Sequence, residues 1–296
     1  MDKRKILSVS CILAAGVLWG CMGILVRTMK TCGIEAVEVV AFRAIITALC
    51  MLIGMLIFNR KGLKVRFKDL WCFAGTGIVS VVFFNLCYFT CINRTSLSTA
   101  AILLYTAPAF VIVMSFFLFK EKIGWKKSIA LVMAFAGCVL VSGGFGKGSL
   151  GFEGLLWGLG AGIGYALYSI FGRYAIERGY SSFTITTYTF IFAAVGSVPF
   201  VKIMPVAKVL MDNPDKFGVS VILVIMTTVF AYLLYTKGLS GTETGKAAII
   251  SSIEPVMATV VGTLLYKEEL TWAASLGMLL VLGSTVVCNI GNDVSK

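Results

Sequence analysis

The chain has 296 residues, 58% of them hydrophobic and only 14% charged, with a mean hydropathy of +0.94 and a formal net charge of +12. Soluble domains carry about 25% charged residues and lack apolar runs of about 20 residues, so a soluble enzyme or nucleic-acid-binding protein is excluded and an integral membrane protein is expected. There is no histidine, which removes the commonest general base and metal ligand and with them a His-based triad or a zinc protease.

A bilayer core about 30 Å thick is crossed by roughly 20 apolar residues of helix. In chain order such windows fall at 6–26, 36–58, 70–92, 98–119, 126–143, 152–172, 182–202, 218–238, 245–266 and 271–290, which predicts ten transmembrane helices and leaves no soluble domain. The first follows "MDKRK" but is too long for a cleavable signal and lacks a small-residue cleavage pattern, so it is read as a retained helix. The sixth contains Gly154, Gly158 and Gly162 at four-residue spacing, a close-packing face. The longest polar connectors lie near 59–69 and 203–217.

With the N-terminus inside, alternate connectors and the window ends beside them hold seventeen of the 26 Lys and Arg residues and the others hold eight, among them Lys147, with Arg43 left inside a span. This positive-inside asymmetry places both termini, including Lys296, in the cytoplasm. The bias explains the net charge without nucleic acid. Nine cysteines without CxxC spacing read as small hydrophobes. No metal site and no cofactor is expected.

A shift of 147 positions lays "TAAILLYTAPAFVIVMSFFLFKEKIGW", 99–125, over "KAAIISSIEPVMATVVGTLLYKEELTW", 246–272. Nine of the 27 positions are identical, including Pro108 with Pro255, Lys120-Glu121 with Lys267-Glu268 and Trp125 with Trp272. Tyr88 meets Tyr235 at the same shift, and at one residue less Trp19 meets Tyr165 and Arg27 meets Arg173. Two copies of a five-helix unit follow, at 1–147 and 148–296. Because five is odd, the second copy enters the membrane from the opposite side, giving inverted repeats around a central cavity, an arrangement of secondary transporters that channels also use.

"VLWG" in the first window, "AFRAI" in the second, "YTAPAF" followed by "FKEKIGW", and their counterparts "IEPVMA" and "YKEELTW" resemble the drug/metabolite transporter superfamily, in its EamA-type branch of ten-helix permeases. The resemblance covers essentially the whole chain. It implies two inverted five-helix repeats, gradient- or proton-driven movement of small metabolites, often export of amino acids or related compounds, and residence in the bacterial inner membrane. The acid that small multidrug relatives carry in their first helix is missing from "ILSVSCILAAGVLWGCMGILV", so a lipophilic-cation antiporter of that kind is disfavoured.

Glu254 is the acid nearest the centre of a window. An ionised carboxylate there costs about 2.5 to 3.5 kcal/mol and usually faces a cavity. Two readings are open: Glu254 handles a coupling proton or a cationic substrate group, or it is a structural carboxylate that pairs with Arg43. Arg43 in turn either snorkels, pairs with Glu254 or holds a substrate carboxylate. Trp19, Tyr88, Tyr105, Tyr165, Tyr168 and Tyr235, with Asn85, Thr106, Ser251 and Ser252, are candidates for a cavity lining suited to an amphipathic molecule, against the alternative of packing. Pro108 and Pro255 each delete a helical hydrogen bond and are candidate hinges, while the Lys-Glu pairs read as connectors. The expected function is a gradient-coupled metabolite transporter, with a passive channel as the alternative. Its expected partners are a small solute, a proton and the lipid bilayer. A monomer suffices, and a homodimer is compatible with the same fold.

Overall fold

The computed structural model describes residues 3–143 and 151–289; the expected repeat boundary at 147/148, Lys147, residue 290 of the last window, Lys296 and both chain ends lie outside them. The described chain runs through α1 (Lys3–Lys30), α2 (Ala36–Phe58), α3 (Phe67–Arg94), α4 (Leu97–Phe119), α5 (Trp125–Val141), α6 (Phe152–Glu177), α7 (Ser182–Phe200), α8 (Pro214–Leu239), α9 (Thr244–Tyr266) and α10 (Trp272–Asn289). Among the described residues nine of these are long and apolar enough to cross a bilayer, and no strand is present. The other, α5, has 17 residues, about 25 Å at the helical rise and the lower limit of a span. The connector expected at 203–217 contains a further helix, Ile203–Met211, because Val206 and Leu210 fall on one side and bury while Met204 and Met211 stay exposed.

Local signals set the helix ends. A reciprocal Glu35/Glu38 capping box starts α2, and the hydroxyls of Ser96 and Ser181 accept the Thr99 and Thr184 amides at 3.1 and 3.2 Å to start α4 and α7. Gly33 and Gly179, at φ +76° and +84°, end α1 and α6 in the left-handed region that favours glycine. Lys120 and Lys267 end α4 and α9 in the same region, both at φ 55°. In α3 and α8 the ladder widens to π geometry over Gly75–Val82 and Ile225–Phe230.

The neighbours repeat under a shift of five helices. α1 lies against α8 and α9 as α6 lies against α3 and α4, and α2 meets α8 as α7 meets α3; the contacts α2–α7, α4–α9 and α5–α10 map onto themselves. α5 and α10 cross where a Cβ on Gly137 would come within 2.7 Å of the Gly277 carbonyl, so glycine permits this approach. Val132, Val195, Leu264 and Leu279 are each about two-thirds exposed or more on the outer surface, an apolar belt that hydrocarbon rather than water would cover.

The bundle has two mouths. At one, the start of α1 at Ser8 abuts Gly241, Asp69 pairs with Arg178 at 3.1 Å, and Glu121, at the end of α4, meets the start of α9. At the other, Arg27 pairs with Glu268 and Arg94 with Glu153 at 3.3 Å. α5 starts beside Glu121 at the first mouth, and α6 starts beside Glu153 at the second.

Candidate functional site

The site is organised by a break in α9. The Ser252 and Ile253 amides bond three residues back, to Ile249 at 3.1 Å and Ile250 at 3.4 Å, and Pro255 has no N–H to offer the Ser251 carbonyl. Helix resumes at Glu254 with Pro255 in its first turn. α4 breaks in the same way at Tyr105 and Thr106 and resumes at Ala107 with Pro108 in its first turn. Ala107 occupies the place that Glu254 holds in α9, so one of the two breaks carries an acid.

Small residues bring the walls close. A Cβ on Gly20 of α1 would lie 2.6 Å from the Glu254 carbonyl, and one on Gly162 of α6 would lie 2.6 Å from the Thr106 hydroxyl. Gly154 and Gly158 continue that face of α6 against Thr95 and Leu103, as their spacing predicts.

Glu254 and Arg43 lie deep in the bundle yet keep accessible surface. Each charged head is met by a hydroxyl rather than by the other. The Tyr165 hydroxyl donates to Glu254 Oε2 at 3.1 Å, and Arg43 Nε donates to Thr228 Oγ1 at 3.2 Å. Arg43, Tyr88, Tyr105, Tyr165 and Tyr232 all stand within electrostatic reach of the Glu254 carboxyl.

Next to this pair an aromatic layer spans α1, α6 and α8. Trp19 stands 6.2 Å from Tyr165, 5.2 Å from Tyr232 and 5.1 Å from Tyr235 between ring centroids, and Tyr168 meets Tyr232 edge to face at 5.0 Å. Hydroxyl pairs fix the tyrosines: Tyr168 with Thr236 at 2.8 Å and Tyr235 with Ser169 at 2.7 Å. The rings enclose a cavity with a free volume of about 20 Å³, room for one water. The Trp19 indole N–H is buried and has no partner among the described residues.

Of the residues singled out in the sequence, Glu254, Arg43, Trp19, Tyr88, Tyr105, Tyr165, Tyr168 and Tyr235 gather around these two features. Asn85 lies elsewhere: buried, it donates to the Val81 carbonyl at 2.7 Å and borders a separate small space with Val37, Val40 and Ser197. Ser251 and Ser252 are buried and turn their hydroxyls onto the Ala248 carbonyl at 2.9 and 3.3 Å. Thr106 bonds the Leu103 carbonyl at 2.6 Å. No disulfide and no cluster suited to a metal occurs among the described residues.

Three residues not singled out belong to the neighbourhood. Tyr232 sits three residues before Tyr235, a spacing that shares a helix face, so its place was readable. Thr228 lies in the π segment of α8, where the widened turn shifts side chains off the regular helical register. Phe84 stacks its edge on Tyr165 at 5.5 Å.

Comparison with known proteins accords with this architecture. The chain is 24% identical over 278 residues to the uncharacterized transporter YwfM of Bacillus subtilis, covering 93% of this chain and 92% of that one. It is 23% identical over 294 residues to the uncharacterized inner membrane transporter YicL of Salmonella typhimurium, covering 94% of each. A crystal structure with 16% sequence identity superposes with a TM-score of 0.78 over 95% of this chain and 96% of the other, a likeness of fold. The EamA-like transporter family matches residues 6–143 and again residues 152–290, and this multi-pass membrane protein belongs to that family.

Proposed function

We propose that this chain is a secondary active transporter that moves a small amphipathic metabolite, an amino acid or a related compound, out of the cell across the cytoplasmic membrane. Its ten helices form two inverted units, 1–147 and 148–296, with both termini in the cytoplasm. The five-helix shift that maps the packing contacts onto one another supports this architecture. A monomer holds the complete site.

The observation that carries the reading is the arrangement of Glu254 and Arg43, opposite charges deep in the bundle that both keep accessible surface and are each anchored by a hydroxyl on another helix. A solute with an ammonium and a carboxylate would satisfy both at once, and the tyrosines would cover its side chain. In the absence of solute, a proton on Glu254 removes the cost of a carboxylate in a low-dielectric setting. Proton and cationic group then compete for one oxygen pair, which couples outward movement of solute to inward movement of a proton. The breaks at Pro108 and Pro255 are the hinges that let each half tilt about the site.

The test is reconstitution into vesicles with an imposed proton gradient and a panel of radiolabelled amino acids. Saturable, gradient-dependent flux with exchange of bound solute supports the reading. Non-saturating flux indifferent to the gradient identifies a passive channel instead.

A further inference from the structure

The two Lys-Glu pairs share sequence and backbone but are used in opposite ways. Both lysines adopt φ 55°, and the following amides of Glu121 and Glu268 close matching 3.2 Å bonds to Ser115 and Gly262. Beyond that point the environments diverge.

At Glu121 the carboxylate turns inward. Its Oε1 accepts the Thr244 amide at 2.6 Å and its Oε2 the Gly245 amide at 3.1 Å, the first two N–H groups of α9, where an anion is favoured by the helix dipole. Lys127 is only 4% exposed and lies 3.7 Å from Glu121 and 2.8 Å from Glu243. It also donates to the Lys122 carbonyl at 2.9 Å, and Lys246 meets Glu243 at 3.3 Å. At the other mouth Glu268 is half exposed and pairs with Arg27, itself half exposed. By the 147-residue shift Lys127 is matched by Ala274 and Glu243 by Ser96. A buried, charge-locked closure is therefore built at one mouth, and its counterpart position lacks both the cation and the second acid.

We propose that Glu121, Lys127 and Glu243 form a latch between the two halves that holds the mouth at the start of α1 shut and biases the resting protein toward the conformation open at the opposite mouth. The inference rests on the alternating-access reading above. The latch joins the α4–α5 connection of the first half to the start of α9, the helix that carries Glu254. When the mouth parts, water takes over the carboxylates. When Lys127 is removed, the shut mouth must keep two acids beside each other with only Lys246, on Glu243, left as a cation, a penalty confined to the closed form.

The test places spin-label pairs at Lys122 with Ser240 on the latched mouth and at Lys30 with Glu269 on the other, through a bio-orthogonal side chain so that the native cysteines stay. Pulsed distance measurements on the full-length protein in nanodiscs compare wild type with Lys127→Ala. Glu243→Ser, which installs the counterpart residue at a one-third exposed position, decides the matter if Lys127→Ala does not fold. In the variants the separated form of the first pair is expected to rise about tenfold or more relative to the closed form, while the second pair draws together. Unchanged distances at the first pair overturn the latch. Widening at the first pair with no response at the second supports the latch and overturns alternating access instead.

Discussion

The Tyr165 hydroxyl on α6 donates to Glu254 Oε2 on α9 at 3.1 Å, so the acid at the break in the second half is held by a helix packed against both α3 and α4 of the first. Glu254→Gln keeps the shape of the side chain and removes its proton. Gradient-driven transport is expected to fall by about tenfold or more, about 1.4 kcal/mol, while exchange of solute without a gradient survives. Tyr165→Phe should fall between wild type and Glu254→Gln. Full gradient-driven accumulation by Glu254→Gln in vesicles would remove Glu254 from coupling.

Arg43 is the cation placed at the site, with its Nε on Thr228 at 3.2 Å. A charge-assisted hydrogen bond to a substrate carboxylate contributes about 1.5 to 3 kcal/mol. Arg43→Gln is thus expected to raise KM for an acidic or zwitterionic solute by roughly ten- to hundredfold and to leave binding of the matching carboxamide nearly unchanged. The two solutes compared in a competition assay separate this role from a purely structural one, in which both would weaken alike.

What the sequence made legible follows from how strongly the bilayer punishes each choice. A carboxylate and a guanidinium inside apolar windows have few places to go, so Glu254 and Arg43 could be singled out before any coordinates. Tyr165 and Tyr168 were readable as one face of α6. Asn85, Ser251 and Ser252 were not separable in the same way, because a short polar side chain in a span can close on a carbonyl of its own helix, as all three do. Lys127 was least legible. It stands in a basic run that reads as a solvated connector, and only the approach of α9 from the other half buries it.

The glycine of "VLWG" has a sharper test. A Cβ at Gly20 would stand 2.6 Å from the Glu254 carbonyl and 2.9 Å from the Ala258 amide, both backbone atoms, whereas one at Gly23 would meet nothing within 4 Å. Gly20→Ala must push α1 off α9 at the site, and overpacking of this kind costs about 1 to 3 kcal/mol. A lowered melting temperature and lost transport are expected for Gly20→Ala, with Gly23→Ala close to wild type. Equal behaviour of the two in a thermal-shift assay would refute this packing.

Glu243 gives the latch a pH signature. Burial acts to raise its carboxyl, but the Lys127 hydrogen bond and the charges of Lys127 and Lys246 outweigh it and hold the group below its ordinary 4.5. A folded-state value below the unfolded one means a stabilising contribution that is fully present above about 4.5 and lost as pH falls through the lowered value. Wild type should therefore melt higher than Glu243→Gln near neutrality by a margin that holds down to about pH 5 and shrinks as the pH falls further. Melting curves of the two proteins across that range check the sign: a gap that widens on acidification would mean that Glu243 is destabilised in its charged form, and that Lys127 spends its charge on Glu121 alone.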